Sequence, residues 1–318
     1  MTSERHVPLR TVLLVLLLAG GAGLIALLMQ ARPGSPLTSS LATPFQLLGT
    51  PLKLADRLAS RGMPIGSLEE RDLGDTFRER YAYQVKVSDP DQAYLDALMP
   101  LIRSHARKPF PYRAYVIPSE SANAMALPGG VILVNRGLLN TLGSEAELVS
   151  VLAHEAGHIE LGHCFDTVRF QLLARKRGSE TLGQLADLAL GILVQHNYSK
   201  AAEHEADVYA FTLLRYSPYD PRGSGASFAS LERSEGSQSS RADDHADLLR
   251  DYISSHPPLA IRQAEFSQAA EAWWRGHPAE RRYWGRRNLR GRRALSALDL
   301  GAEWHGARLT PPAPQATR

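Results

Sequence analysis

The pentapeptide HEAGH at residues 154–158 constrains the fold more than any other stretch, because its two histidines can act together only on a helix. Ser144 followed by Glu147 forms a capping-box pattern, in which a hydroxyl and a carboxylate satisfy free N–H groups at a helix start. The next apolar residues recur at helical spacing, namely Leu148, Val151, Leu152 and Ile159. The sequence therefore predicts a helix that carries His154 and His158 one turn apart on one face.

Two imidazoles on one helix face indicate a zinc site, which in hydrolytic enzymes needs a third protein ligand and an open fourth position. Glu155 is the residue type that serves as general base in such sites. A metzincin would have a glycine and a histidine where this chain has Leu161 and Cys164. His163 lies about 140° around a continuous helix from the second motif histidine, so it points away unless Gly162 breaks the helix. A capping or packing role is the alternative for His163 and Cys164.

The segment EHEAD, residues 203–207, offers another source for the third ligand. Glu203 and Asp207 lie one helical turn apart, so Glu203 can reach the metal while Asp207 accepts the outer N–H of a ligand histidine. Glu205 is expected to project elsewhere, into solvent. Alone, the segment would be an ordinary charged helix face, but together with HEAGH it favours a His-His-Glu site for one Zn²⁺ per chain.

Five segments occur in the order seen in gluzincin metallopeptidases of the HtpX and CAAX-prenyl-protease type, family forty-eight of the metallopeptidases. They are NAMALPGGVILVNRGLL, ELVSVLAHEAGHIELGH, EHEAD, YDPRG and SSHPPLAIR, and the resemblance covers roughly residues 85–265. It implies zinc on His154, His158 and Glu203, with Glu155 as general base and Asp207 behind the ligands. The late HP…R element of that family lies by the active site, which assigns His256 and Arg262 to it.

The fold class expected is α+β, a mostly α-helical gluzincin metallopeptidase domain with a small β-sheet beside the HEAGH helix. A change from helical spacing predicts strands at 115–117, 122–127 and 131–134, with the last two joined at a Pro-Gly-Gly turn. A helix is expected from Ser88 or Asp89 to Arg103, and residues 182–194 are expected to pack over the cleft.

The strand before the HEAGH helix is a candidate for substrate binding. As an exposed edge, Asn123, Ala124, Met125 and Ala126 would let an extended peptide add as another strand. Main-chain hydrogen bonds would then provide affinity that does not depend on the peptide's sequence, which suits unfolded or misfolded polypeptides.

The N-terminus predicts a membrane anchor. Residues 11–30 carry no charge, and twenty helical residues span roughly 30 Å, the thickness of a bilayer's hydrocarbon core. Arg5 and Arg10 precede this run, so the positive-inside rule places the rest of the chain on the exported, periplasmic side of a cell inner membrane. Secretion to the periplasm after signal cleavage is the alternative.

Composition and local charge set the remaining expectations. With 44% hydrophobic and 22% charged residues the chain is not disordered, and its one cysteine excludes an intramolecular disulfide. We divide it into an anchor (1–30), a tether (31–70), a zinc metallopeptidase domain (71–270) and an arginine-rich tail (271–318). Nucleic acid is not an expected partner of an exported domain, whereas anionic lipid headgroups would explain the same arginines.

These features together predict a membrane-anchored zinc endopeptidase that hydrolyses polypeptides, with unfolded or misfolded envelope proteins as the expected substrates, in protein quality control. A chaperone-like binder that retains zinc but rarely cleaves is the rival prediction. His256 has two roles open to it: its imidazole can donate to the oxyanion of the transition state, as Arg262 also could, or it can fill the fourth position of the metal and keep water out. The catalytic role is favoured, since Arg262 is also placed to help bind the developing negative charge.

Overall fold

The structure analysed is a computed structural model, which describes residues 70–84, 86, 88–175, 181–195, 197–238, 256 and 259–307. The predicted anchor and tether, residues 1–69, lie outside the described part of the chain. Within the described part, no helix has both the length and the apolar character needed to cross a bilayer.

Helices surround a small mixed sheet, so the predicted α+β, mostly helical class is confirmed. Two helices come first, α1 (Glu70–Ala82) and α2 (Pro90–His105). The side chain of Asp89 caps α2 by accepting from the N–H of Asp91, so the predicted start of this helix is confirmed.

The sheet contains three strands in the order β1-β3-β2. Strands β1 (Arg113–Ile117) and β3 (Val131–Asn135) are parallel, whereas β2 (Ala124–Leu127) pairs with β3 in antiparallel fashion. All five residues of β3 are buried, as expected for a central strand covered on both faces. The predicted strands are therefore confirmed, with ends shifted by one or two residues.

The HEAGH segment lies on a helix that follows the sheet after one short helix, α3 (Arg136–Thr141). This motif helix, α4, spans Glu145–Glu160, and every one of its residues up to Ile159 is buried. Four further helices follow: α5 (His163–Arg175), α6 (Leu182–Val194), α7 (Lys200–Arg215) and α8 (Gly223–Gln238). The central helix of the domain therefore carries the motif.

The predicted boundary at residue 270 differs from the structure, because it falls inside α9, which spans Leu259–Gly276. The residues after it, 277–307, fold against the rest of the domain, and we refer to them as the C-terminal segment. Its regular elements are β4 (Arg281–Tyr283), α10 (Arg286–Gly291), a 3₁₀ turn (Gly301–Glu303) and β5 (Trp304–Gly306). These elements are too short to show a periodic pattern in the sequence.

The C-terminal segment completes the start of the motif helix. The carbonyls of Gly285 and Trp284 accept from the N–H groups of Glu145 and Ala146, at 3.1 Å each. The N–H of Leu295 donates to the buried carboxylate of Glu145 at 2.8 Å. The bonds to Gly285 and Trp284 satisfy two N–H groups that the first turn of a helix leaves free.

Six of the seven arginines of this segment divide into two groups, and the seventh, Arg281, lies over the ring of Trp304. Arg292 forms an ion pair of 2.6 Å with Asp91, and Arg282 lies 3.2 Å from Glu280, so neither is available to an external anion. Four others are exposed on or just after α10, namely Arg286, Arg287, Arg290 and Arg293.

Candidate metal centre

The start of the motif helix is fixed by residues that the sequence pattern identified. The Ser144 hydroxyl accepts from the N–H of Glu147 at 3.2 Å. The Glu147 carboxylate accepts in return from the N–H of Gly143 at 2.9 Å, one residue earlier than in the usual capping box. The helix continues from there to Glu160 and presents His154 and His158 on one buried face.

Gly157, the fourth residue of HEAGH, allows α7 to lie close against the motif helix. A Cβ at this position would lie 3.2 Å from both the Cα and the carbonyl oxygen of Ala206, tighter than most van der Waals contacts. Because the two backbones approach this closely, Glu203 on α7 lies next to both motif histidines. The EHEAD segment is thus held against HEAGH by packing, before any metal is considered.

Three side chains converge at the distances expected of zinc ligands. The Nε2 atoms of His154 and His158 lie 3.0 Å apart. Glu203 approaches them through Oε2, at 3.5 Å from His154 Nε2, and through Oε1, at 3.4 Å from His158 Nε2. Ligands at about 2.0–2.1 Å from a tetrahedral ion are separated by about 3.3 Å, so this donor set fits zinc.

His256 belongs to the same group. Its Nδ1 lies 2.8 Å from Glu203 Oε1 and 3.5 Å from His154 Nε2, while its Nε2 lies 3.8 Å from Glu155 Oε1. One ligand atom from each of four buried residues, His154, His158, Glu203 and His256, lies within 4.8 Å of every other. His256 therefore takes the place that a fourth ligand of a tetrahedral ion would take.

Asp207 and Arg262 support this group from behind. His154 Nδ1 lies 2.8 Å from Asp207 Oδ1, on the side of the ring opposite the converging Nε2. The guanidinium of Arg262 donates to both oxygens of Asp207 at 2.7 Å each, and also to the backbone carbonyl of His256 at 2.7 Å. Its Nη1 lies 3.0 Å from Glu203 Oε2, so one buried arginine holds both acids and the histidine.

The electrostatics of His158 and the two acids suit metal binding, which needs neutral imidazoles and ionised carboxylates. Burial tends to lower the pKa of His256, but the adjacent Glu203 and Glu155 outweigh it and raise the pKa. Burial lowers the pKa of His158 well below its usual value, which keeps this ring neutral. Burial tends to raise the pKa of Glu203, but the adjacent His256, His158 and His154 outweigh it and lower the pKa well below the usual range. The pKa of Asp207 is lowered in the same way, because His154 and Arg262 outweigh the effect of its burial.

Glu155 lies beside the converging ligands without joining them. Its side chain is buried, and its Oε1 has no hydrogen-bond partner among the described protein atoms. Such an atom costs folding free energy unless a bound group meets it, so it indicates a position for substrate or water.

His163 and Glu205 lie outside the metal group, as expected, but their contacts were not predicted. Gly162 has φ +83°, a left-handed conformation that ends the motif helix and starts α5 at His163. His163 is thereby brought back to His158, with 3.0 Å between their Nδ1 atoms, as a partner of this ligand. Glu205, expected in solvent, lies 3.1 Å from His163 Nε2, and its side chain is 42% exposed. Gly162 was the one signal in the sequence that pointed to this arrangement.

The proposed substrate strand lies at an edge of the sheet, since β2 pairs only with β3 among the described strands. Asn123 precedes β2, and its carbonyl accepts from the N–H of Asn135 at 2.9 Å. Antiparallel pairs alternate, so Met125 also bonds to β3 while the N–H and C=O groups of Ala124 and Ala126 point away from β3. The edge was expected to be exposed, but these two residues are only 1% and 2% exposed in this structure.

The comparisons with known proteins agree with this geometry. Residues 91–270 match the family model described as peptidase family M48. The metalloprotease LoiP of Escherichia coli (strain K12) is 33% identical over 165 residues, which cover 46% of this chain and 64% of LoiP. The mitochondrial metalloendopeptidase OMA1 of Arabidopsis thaliana is 29% identical over 162 residues, covering 50% of this chain and 31% of OMA1.

A third relative has a longer match. The beta-barrel assembly-enhancing protease of Escherichia coli (strain K12) is 25% identical over 194 residues, which cover 53% of this chain and 39% of that protein. The chain thus spans between 31% and 64% of the length of these three relatives.

Proposed function

Because this chain belongs to peptidase family M48, we propose that it is a zinc-dependent endopeptidase that hydrolyses peptide bonds within polypeptides. Peptidases of this family use zinc. One observation supports the proposal above all others: the imidazoles of His154 and His158 and the carboxylate of Glu203 converge at the spacing of zinc ligands, with Glu155 beside them.

In this proposal His154, His158 and Glu203 hold the ion. When bound, zinc supplies Lewis acidity, which polarises the scissile carbonyl and makes water more acidic. The surrounding protein keeps the three ligands in the required state: both histidines present Nε2 inward, and the carboxylate of Glu203 is kept ionised by its neighbours.

Glu155 is proposed as the general base. Its unpartnered Oε1 can take a proton from the attacking water and later deliver it to the leaving amine nitrogen. Neither step requires the residue to ligate the metal. Asp207 and Arg262 position the ligands, because Asp207 faces His154 Nδ1 and Arg262 fixes Asp207 in a bidentate pair.

His256 has a dual position. Its Nε2 faces Glu155, where a donor could stabilise the oxyanion, but its Nδ1 lies among the ligand atoms. We infer that in this arrangement the imidazole closes the fourth position, and that it must turn away before water and substrate enter. Any donor role toward the oxyanion would follow that movement.

Substrate binding is proposed at the edge of β2 that faces away from β3. The N–H and C=O groups of Ala124 and Ala126 on this edge can bond to an extended peptide once the edge is uncovered, because both residues are buried in this structure. Recognition through the main chain is independent of sequence, which suits unfolded polypeptides.

The location and substrates belong to the same proposal. We place the domain on the periplasmic side of the inner membrane, held by the predicted helix at residues 11–30. Misfolded envelope proteins are the proposed substrates, and a relative named as a beta-barrel assembly-enhancing protease supports this. The exposed arginines after Tyr283 suit contact with anionic lipid headgroups.

Cleavage of an unfolded protein tests the activity. Purified chain is incubated with casein, with a zinc chelator, and with the chelator followed by added Zn²⁺. We expect fragments in the first and third reactions and none in the second. Zinc binding without any fragments, in wild type and in His256→Ala alike, would favour the chaperone-like binder instead.

A further inference from the structure

His163 and Glu205 connect the second motif histidine to the protein surface. His158 Nδ1 lies 3.0 Å from His163 Nδ1, and His163 Nε2 lies 3.1 Å from Glu205 Oε2. His163 is buried, whereas Glu205 is partly exposed at the end of the chain of contacts. Neither His163 nor Glu205 belongs to the group of described residues that could hold a metal ion.

Only one placement of protons makes this chain of contacts compatible with metal binding. A neutral imidazole carries one N–H, and His158 must keep Nε2 free of hydrogen to act as a ligand. Its proton is then on Nδ1, which donates to His163 Nδ1. His163 in turn carries its proton on Nε2 and donates it to Glu205. The carboxylate, which can only accept, selects this arrangement over the reverse one.

The two motif histidines are thus supported in parallel ways from one helix. His154 faces Asp207 directly, at 2.8 Å. His158 faces Glu205, two residues earlier on α7, through the ring of His163. Every acid of EHEAD therefore has a place: Glu203 among the ligands, and the other two behind one histidine each.

We propose that Glu205 and His163 form a relay that fixes the tautomer and ring orientation of His158, and thereby sets the zinc affinity of the site. The proposal rests on the proposed zinc site at His154, His158 and Glu203. Both relay members are positioning residues, because they act on the metal only through His158. Groups in this position are typically worth about 10–100-fold in metal affinity.

Paired substitutions in the full chain test the relay. Glu205→Leu and His163→Phe remove the acceptor that each contact needs. Glu205→Gln and His163→Asn each retain an acceptor oxygen close to the original one. His204→Leu is the matched control, since His204 neighbours Glu205 on α7 but lies 3.6 Å from Glu265, away from the metal group.

Zinc affinity is measured for each protein by competition with a chelating dye, and folding by thermal unfolding without metal. We expect Glu205→Leu and His163→Phe to bind zinc about 10–100-fold more weakly than wild type. We expect His163→Asn and His204→Leu to stay within about threefold of wild type, and Glu205→Gln, whose amide can donate as well as accept, to lie between wild type and Glu205→Leu. Nitrogen NMR of labelled histidines in the metal-free protein should show His158 protonated at Nδ1 in wild type and as a mixture of tautomers in Glu205→Leu.

The relay is refuted if Glu205→Leu and His163→Phe keep wild-type zinc affinity. It is also refuted if Glu205→Gln and His163→Asn lose as much zinc affinity as Glu205→Leu and His163→Phe. It is equally refuted if the metal-free Leu and Phe variants unfold at lower temperature by an amount that accounts for their weaker binding. Failure of the zinc site itself is distinguishable, because wild type would then bind no zinc, or Glu203→Ala would bind it as tightly as wild type.

Discussion

Glu155 is the residue whose removal should separate metal binding from catalysis. The substitution Glu155→Gln leaves His154, His158 and Glu203 in place but removes the base. We expect about one zinc per chain, as in wild type, and turnover lowered by about 10²–10⁴-fold. Metal analysis and peptide cleavage on the same preparation check this. A variant that cleaves at the wild-type rate would show that another group takes the proton.

Glu203 should be needed for the metal itself. Because Glu203→Ala removes one of three ligands, zinc affinity should fall by more than the roughly 100-fold upper range typical of supporting residues. Lys200→Ala provides the control on the same helix, since Lys200 is exposed on the first turn of α7. Similar zinc affinities for the two variants would remove Glu203 from the ligand set.

His256 should limit activity in the arrangement seen here. Its Nδ1 lies 2.8 Å from Glu203 Oε1, within the group of ligand atoms. Molecules with the ring in this place cannot bind water and substrate at the fourth position, so the fraction of molecules able to cleave is reduced. We expect His256→Ala to raise kcat several-fold on a defined peptide. A lowered kcat at unchanged KM would instead identify His256 as an oxyanion donor.

At this scale the sequence located the converging side chains but missed what stands behind one of them. The i, i+4 spacing of His154 and His158 fixes their common face on any regular helix. The position of His163 depends on the left-handed conformation of Gly162. The direction of the chain after such a glycine cannot be predicted from helical periodicity. Glu205 lies outside the metal group and is partly exposed, as expected, but its contact with His163 could not be predicted because that histidine was expected to point away.

The C-terminal segment and the motif helix should be coupled in stability. Gly285 has φ +73°, and a Cβ there would lie 2.7 Å from Glu145 Cβ at the start of α4. We expect Gly285→Ala to lower the free energy of unfolding by about 2–4 kcal/mol, through left-handed strain and overpacking together. Chemical denaturation measures this.

Gly291→Ala is the control in the same segment, since a Cβ there meets nothing within 4 Å. It should change the free energy of unfolding by no more than about 0.5 kcal/mol. Equal effects of the two substitutions would show that the contact between Gly285 and Glu145 does not stabilise the motif helix.

Elements with strong local patterns were predictable, and those held by distant contacts were not. Helix α2 has a start signal and helical spacing, and the three strands are short runs rich in apolar residues, two of them joined at a Pro-Gly-Gly turn. In the C-terminal segment, β4 and β5 have three residues each, and the carbonyls of Trp284 and Gly285 bond to α4, some 140 positions away in the sequence. Such pairings leave no periodic signal.

The orientation of the whole molecule remains a prediction from the sequence. A reporter that works only outside the cytoplasm, fused after Arg318, should be active if residues 11–30 place the domain on the exported side. A cytoplasmic reporter fused at the same position is the control and should be silent. The opposite pattern of the two reporters would reverse the orientation.

The bonds between the C-terminal segment and the motif helix also impose an order of events in time. A ribosome makes the zinc ligands on α4 well before it makes Trp284, Gly285 and Leu295, whose backbone groups complete the first turn of that helix. A nascent chain that ends before these residues contains HEAGH but lacks the hydrogen bonds that satisfy the N–H groups at the start of the motif helix. Completion of the first turn of the motif helix is therefore tied to the synthesis of these later residues.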